Sequence, residues 1–432
     1  MMRTGSAVPV ILAIGVFVIL LAPLTIRAIN GWPVMPGQES YNALLHVRGA
    51  GAPTPYDALL AGSLVFGIGW LLPSLIGALV VVMLYLLLRR PLGTAGACAG
   101  AAAFAITPAF LLAGTRHEPA LLALAFLGSA LLVKRRAVLR GAIVAAGIIT
   151  SPIIGVLGAA ALLAFRPRDA AVWIVGALAA GAWHVAWAGS LVSVPFAVSF
   201  VPVAELGVPG GISVFFIILG AFGASRAKRP LVTVTILIAA FAVAVAFPDA
   251  LLLPSAVVAV IASRGVLGLW KDPWQLDPLR HLFLVLIACA GVLIVITAVR
   301  AVSTEQPSDR LVDVLSYIGS QRRPGGILTD PSLAPVVSYY SGRQPTLGPG
   351  LSEEEIREVF LMRNANSVYD LLERTDTSFV LVTAGMRDRI FTRSDEGLLF
   401  LLPNTERFVP ITSDDELTLW YYIRRQRVTG DG

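Results

Sequence analysis

The sequence predicts an α-helical polytopic membrane domain followed by a small extracytoplasmic α/β domain, and three observations carry that expectation. Of 432 residues, 56% are hydrophobic and only 14% charged, with a mean hydropathy of +0.78, more apolar surface than a soluble fold of this size needs. The apolar residues are gathered in repeated runs of membrane-spanning length. The acids are unevenly placed: of 27 Asp and Glu residues, 19 follow position 302 and 8 precede it. That break sets two expected domains, transmembrane at 1–302 and soluble at 303–432.

The apolar runs fall at 7–26, 68–88, 93–113, 119–133, 139–149, 152–165, 170–189, 211–224, 231–247, 250–263 and 281–301. Several are shorter than the roughly 20 residues of a perpendicular span, so some are broken or tilted. The stretch 139–165 is interrupted by Thr150-Ser151-Pro152 and reads as one kinked helix or two short antiparallel ones. Basic residues near membrane ends favour the cytoplasmic side, and this decides the count. With two helices there are about eleven spans and a cytoplasmic amino terminus, and 15 of the 19 basic residues before position 303 lie in cytoplasmic loops. Only Arg27, Arg48, Arg116 and Arg300 fall outside. A single helix would reverse the downstream half and place its basic clusters outside.

The net charge of +6 therefore reports orientation and implies no nucleic-acid partner. Cys98 and Cys289 both lie in apolar spans, which suggests no disulfide framework. The amino-terminal run after Arg3 reads as a first span or uncleaved anchor, without a convincing cleavage site. The expected localisation is a multi-pass protein of the cell membrane with its carboxy-terminal domain extracytoplasmic.

This topology puts Gly37-Gln-Glu-Ser-Tyr-Asn-Ala-Leu-Leu-His-Val-Arg-Gly49 in the first external loop and Thr115-Arg116-His117-Glu118 in the second. Five of the eight acids of the membrane domain fall outside: Glu39, Asp57, Glu118, Glu205 and Asp249. As a helix begun by Pro36-Gly37, the first stretch lines up Glu39, Asn42 and His46 as one polar stripe. Tyr41, Leu45 and Arg48 fall on a neighbouring face, and Leu44, Leu45 and Val47 give an apolar side to press into lipid or protein. A second amphipathic or half-buried stretch follows at 56–66. An acid at the membrane rim is costly to desolvate and is a functional candidate. Glu39 has two chemical uses: general base on an acceptor, or, with Glu118, a ligand for a divalent cation such as Mg or Mn against a phosphate leaving group. His117 stands beside Glu118, and Arg116 suits a phosphate. The bland alternative is that Glu39 and Glu118 cap or solubilise short loops, and that His46 is a surface polar residue.

The Glu39-Ser40-Tyr41 element, the downstream Leu45-His46-Val47-Arg48, the acidic Arg116-His117-Glu118 after the third span and Ala105-Ile-Thr-Pro-Ala-Phe110 together resemble the GT-C superfamily of integral-membrane glycosyltransferases. The resemblance covers residues 1–300 in layout and specific residues only in these pieces. It implies a polyprenyl-phosphate-linked sugar donor, an extracytoplasmic acceptor and an acid of the first external loop as the catalytic hallmark. On that basis Glu39, Glu118 and His117 are the catalytic candidates, and Tyr41, His46, Arg48 and Arg116 the substrate-binding ones. Glu39 and Glu118 are the candidate metal ligands. The family position is more usually Asp, often with a second adjacent acid; here Glu39 stands between Gln38 and Ser40.

Elsewhere the signals are structural. Trp183, His184 and Trp187 look like an interfacial aromatic belt, Glu205 sits in a Pro/Gly-rich loop, and Arg300 reads as snorkelling or lipid-phosphate binding. The tail reads as helix 308–320, a strand at GGILTD, helix 332–340, a capping box of Ser352 with Glu355, a helix through NSVYDLLERT, the strand SFVLVT and paired strands GLLFLLP, ERFVPITS and LTLWYYIRR. Asp330, Tyr339, Tyr340 and Arg343 are carbohydrate-contact candidates, with turn and core roles as the ordinary alternative. The leading function is sugar transfer from a lipid-linked donor. A non-catalytic membrane assembly protein with a partner-binding tail is the rival. A transporter ranks last, because the charges sit at span ends and no internal repeat is visible.

Overall fold

The computed structural model describes residues 7–49, 54–133, 136–165, 170–188, 214–227, 230–246, 251–271, 277–347, 353–393 and 395–424. The chain falls into two compact units: Met1–Asn30, Val34–Pro36 and Gly49–Thr304 form one, and Gly31–Pro33, Gly37–Arg48 and Glu305–Gly432 the other.

Two helices come first, α1 (Ala7–Ile29) in the first unit and α2 (Gly37–Arg48) in the second. The first unit continues with α3 (Pro55–Val65), α4 (Leu72–Ala105), α5 (Pro108–Ala113), α6 (Pro119–Leu132), α7 (Ala137–Thr150), α8 (Pro152–Phe165) and α9 (Ala170–Ala188). It closes with α10 (Val214–Ser225), α11 (Pro230–Ala246), α12 (Leu252–Lys271) and α13 (Asp277–Ser303). Among the described residues, α1, α4, α12 and α13 are long and apolar enough to cross a membrane. Their outward faces agree: Val10, Ile11, Ile14 and Val18 on α1, and Leu282, Val285, Leu286, Leu293 and Ile296 on α13, are exposed. Water penalises such contiguous apolar surface and hydrocarbon does not.

Two interruptions turn the chain back on itself. Within α4, Pro91 removes a helical donor and Gly93 takes φ +70, a conformation that costs glycine nothing. Leu88 Cδ1 then lies 2.7 Å from where a Cβ on Gly100 would sit, although a straight helix would hold residues twelve apart by about 18 Å. At Ser151 the chain leaves the helical region, and a Cβ on Gly155 would meet the Ile148 backbone at 2.4 Å. The run 139–165 is therefore two helices packed back on each other at a tight turn. Leu20 of α1 is fully buried and keys into a slot floored by Gly77 and Gly114. Side chains there would come within 2.8 and 2.7 Å of it. This close packing fixes the loop that follows α5.

The second unit adds α14 (Asp309–Ser320), β1 (Gly326–Leu328), α15 (Ala334–Ser341), α16 (Glu353–Phe360), α17 (Ala365–Arg374) and β2 (Thr377–Thr383). After these come α18 (Ala384–Ile390), α19 (Leu398–Asn404), β3 (Phe408–Ser413) and β4 (Leu417–Tyr422). The sheet order is β1-β2-β4-β3, with β1 and β2 parallel and the other pairs antiparallel. Every residue of β2 is buried, as a central strand covered on both faces requires. Phe360, Val368, Leu372, Val380, Val382, Leu398, Leu402 and Tyr422 form the core over it. The expected strand GLLFLLP is instead α19: it lacks β-branched residues, and its buried Leu398, Leu401 and Leu402 recur at helical spacing. Ser352 of the expected capping box lies outside the described residues.

Candidate functional site

In the second unit the site begins with α2. Gly37 adopts φ +75 and its N–H donates to the Gln306 carbonyl at 3.0 Å, so the helix starts under backbone control. The residues the helix buries are Gly37, Ser40, Tyr41 and Leu44. The exposed stripe is Gln38, Asn42 and His46, and Glu39 lies half-buried beside it. Glu39 occupies the first turn, where the helix dipole favours an anion.

Tyr41 ties α2 to the rest of its unit. Its hydroxyl pairs with that of Tyr340 at 3.1 Å, and its ring lies 5.4 Å from both Tyr339 and Tyr340. Those two rings stand edge to face at 5.0 Å. Arg48 closes the group, with its guanidinium 4.1 Å from the Tyr339 ring centre and Nη2 donating to the Tyr339 hydroxyl at 3.1 Å. Each such aromatic pair contributes about 0.5–1.5 kcal/mol beyond its area burial. Tyr339 and Tyr340 thus hold α2. Of the other carbohydrate candidates, Arg343 donates to the carbonyls of Ile318, Gln321 and Gly325, closing the end of α14. Asp330 accepts from the Ser332 N–H at 2.9 Å and pairs with Arg389. Both are turn and cap residues.

In the first unit a second polar group forms around His117. Thr54 and Asp57 make a capping box that starts α3, with the Asp57 carboxylate accepting from the Thr54 N–H at 2.9 Å and hydroxyl at 2.7 Å. This fixes Tyr56, which is buried and pairs through its hydroxyl with His117 Nδ1 at 2.9 Å. The loop carrying His117 is held on both sides. Thr115 donates back to the Leu111 carbonyl at 3.1 Å, the Ser74 hydroxyl donates to the Gly114 carbonyl at 3.2 Å, and Pro119 keeps Glu118 extended at φ −95, ψ 124. Arg116 and Glu118 form a loose, half-exposed ion pair at 4.0 Å.

Burial governs the protonation states. It lowers His117 to about 4, leaving a neutral imidazole at neutral pH. Burial also raises the Tyr56 phenol, and the charges of Glu118 and Asp57 push the same way. A phenol kept protonated is a competent donor to Nδ1; with it as donor, the imidazole hydrogen sits on Nε2.

The sequence had singled out His117, Glu118 and Arg116, and these share this loop; Glu39, Tyr41, His46 and Arg48 share α2. Tyr56 was missed. Its only signal was an aromatic beside an acid just after a Gly/Pro linker. Arg27 was counted merely as an outer-side cation, yet it is fully buried, donating to the Val302 carbonyl at 3.4 Å near the carboxy end of α13, where the helix dipole favours a cation. Among the described residues, no group of three or more His, Cys, Asp or Glu side chains gathers as a metal site. Glu205, Asp249 and the side chains of His184 and Trp187 lie outside the described residues.

No family model and no curated protein matches the chain in sequence. Solved structures do match in fold. An oligosaccharyltransferase of Archaeoglobus fulgidus in its apo form aligns with a TM-score of 0.58 at 14% identity, over 90% of this chain and 70% of that one; an oligosaccharyltransferase of that organism has also been solved with Zn and sulfate. AglB from the same organism, in complex with an inhibitory peptide and a dolichol-phosphate, aligns at 0.55 and 16% identity over 97% and 75%. ArnT from Cupriavidus metallidurans, bound to undecaprenyl phosphate, aligns at 0.54 and 14% identity over 95% of this chain and 97% of that one. At these identities the likeness shows the fold alone: the chain shares the fold of these proteins.

Proposed function

We propose that this GT-C chain is a membrane glycosyltransferase that moves a sugar from a polyprenyl-phosphate-linked donor to an extracytoplasmic acceptor, a protein, lipid or glycan. The observation that carries the reading is the likeness over nearly the full length of ArnT, a protein seen with undecaprenyl phosphate. We assign residues 1–302 to the membrane domain, with about eleven spans and a cytoplasmic amino terminus, and 303–432 to an extracytoplasmic domain. That topology puts α2 and the 115–118 loop on the outer face of the cell membrane, where a lipid-linked donor and its acceptor meet.

In this mechanism Glu39 is the general base. Its carboxylate takes the proton of the acceptor as the acceptor atom bonds to the anomeric carbon. The bond from that carbon to the phosphate oxygen breaks, and the polyprenyl phosphate leaves with the electron pair. Direct attack inverts the anomeric centre. Guanidinium–phosphate bonding stabilises the departing charge, and Arg116 is the residue that the sequence resemblance offers for it. Glu118 and the neutral His117 set the polarity of the loop that carries Arg116. His46, exposed on α2, contacts substrate. Tyr41 is buried and bonded to Tyr340, and Arg48 is engaged with Tyr339, so both act by holding α2. Glu39 and Glu118 remain the candidate carboxylate ligands for a divalent cation such as Mg or Mn, and no step here is routed through one.

The test is Glu39→Gln in membranes supplied with labelled polyprenyl-linked sugar. Loss of a positioned base costs about 10²–10⁴-fold in rate, with folding unchanged. Transfer at the wild-type rate would remove Glu39 from the mechanism.

The isolation of Glu39 between Gln38 and Ser40 favours a second reading, a non-catalytic assembly protein that keeps the scaffold and binds a partner through its tail. Under that reading, Glu39→Ala preserves the biological role and deletion of 303–432 abolishes it.

A further inference from the structure

We infer that the carboxy-terminal unit positions Glu39 by clasping α2, and that Tyr339, Tyr340 and Arg48 are positioning residues for the reaction. The inference rests on the proposed role of Glu39, and it adds residues of α15 that touch no reacting atom.

Tethers at its start, middle and end set α2. At its start, the Gly37 N–H is bonded to the Gln306 carbonyl at 3.0 Å. At its middle, Tyr41 is buried between two rings and hydrogen-bonded to Tyr340. At its end, Arg48 lies over Tyr339 and bonds its hydroxyl. A helix of 12 residues is marginal alone in water. Its rotation must therefore be set by packing, and here the packing partner is α15. Glu39 stands two residues before Tyr41, so turning the helix about its axis would carry the carboxylate around with the buried ring. A shift of about 1 Å in a reacting group costs about a hundredfold in rate.

The clasp is also chemically economical as a register device. Tyr339 and Tyr340 are adjacent, and both meet Tyr41 of α2 from one turn of α15. Asp330 and Arg343, on either side of α15, are tied into the tail by the bonds to Ser332, Arg389 and the end of α14. The helix that holds α2 is thus itself anchored in the tail.

The experiment uses the full chain in lipid nanodiscs. Hydrogen–deuterium exchange is followed at the amides of 40–48 in the wild type, the double variant Tyr339→Ala/Tyr340→Ala, the double variant Tyr339→Phe/Tyr340→Phe, and Arg48→Met. Transfer from a labelled polyprenyl-phosphate-linked sugar is measured in parallel. The alanine pair is expected to exchange at least about tenfold faster in α2 while β2 keeps its protection. Its kcat is expected to fall about a hundredfold with KM for the donor unchanged within about twofold. The phenylalanine pair keeps the rings and should recover most of both effects, and Arg48→Met should fall between. Should the alanine pair unfold the tail, the Phe pair and Arg48→Met decide. Unchanged exchange in α2 overturns the clasp. Faster exchange with unchanged kcat overturns the positioning role. If the wild type transfers no sugar while α2 still loosens, the proposed function fails and the clasp stands.

Discussion

In the membrane unit, His117 is buried against the phenol of Tyr56, with Glu118 and Arg116 beside it in the chain. In the carboxy-terminal unit, Tyr41 and the exposed Arg48 of α2 are held by the two tyrosine rings of α15. Both groups fix a helix or loop that carries a candidate carboxylate, and they do it with different physics. The first relies on desolvation, which sets a protonation state but makes the structure sensitive to pH. The second relies on ring packing and short polar tips, which set an angle and respond weakly to pH or salt. One group is suited to defining charge near a phosphate, the other to defining where a base stands.

The largest expected effect separates the two groups by acid. His117 titrates near 4 when folded and near 6.5 when unfolded, so the unfolded chain binds more protons between those values. Stability contributed by the neutral imidazole is full above about pH 6.5 and is lost as pH falls toward 4, up to about 3 kcal/mol. Thermal melts in detergent at pH 7 and pH 4 should show this loss in the wild type and a smaller one in His117→Gln. Equal losses would break the contrast. Next comes Tyr56→Phe, which leaves a buried imidazole nitrogen without its hydroxyl and should cost about 2 kcal/mol, measured at pH 7.

Tyr41→Phe sharpens the comparison from the other side. It keeps the ring contacts and loses one hydroxyl pair, so it should cost about 1 kcal/mol, with no change in the pH dependence. A cost as large as that of Tyr56→Phe would mean that the clasp depends on its hydrogen bond and not on its rings. The smallest effect is expected for Arg116→Gln. A loose, half-exposed ion pair contributes below about 1 kcal/mol, so stability should hardly move, while transfer from the lipid-linked donor should fall if Arg116 meets the phosphate.

The helical character, the apolar faces and the positions of the chain breaks were legible because they are local. A run of apolar residues long enough for a bilayer has few other uses, and Pro91 with Gly93 or Ser151 with Pro152 interrupts a helix wherever it lies. The loops bearing Glu39 and Glu118 stood out because charge is scarce around them. The reading of GLLFLLP as a strand failed because an apolar run of seven does not distinguish strand from helix without its neighbours.

By itself, then, the sequence determined the membrane-spanning class, the polar loops and the residue types offered for chemistry. Only the tertiary structure decided their partners. Tyr56 and His117 are 61 positions apart, and Tyr41 and Tyr340 are 299 apart. No periodicity links such pairs, because periodicity records a residue's own helix and not the helix it meets. The same holds for protonation: a histidine in a loop reads as titrating near neutrality, and only the burial of His117 moves it to about 4. Composition fixes which groups a chain carries, and packing fixes which of them lose their water.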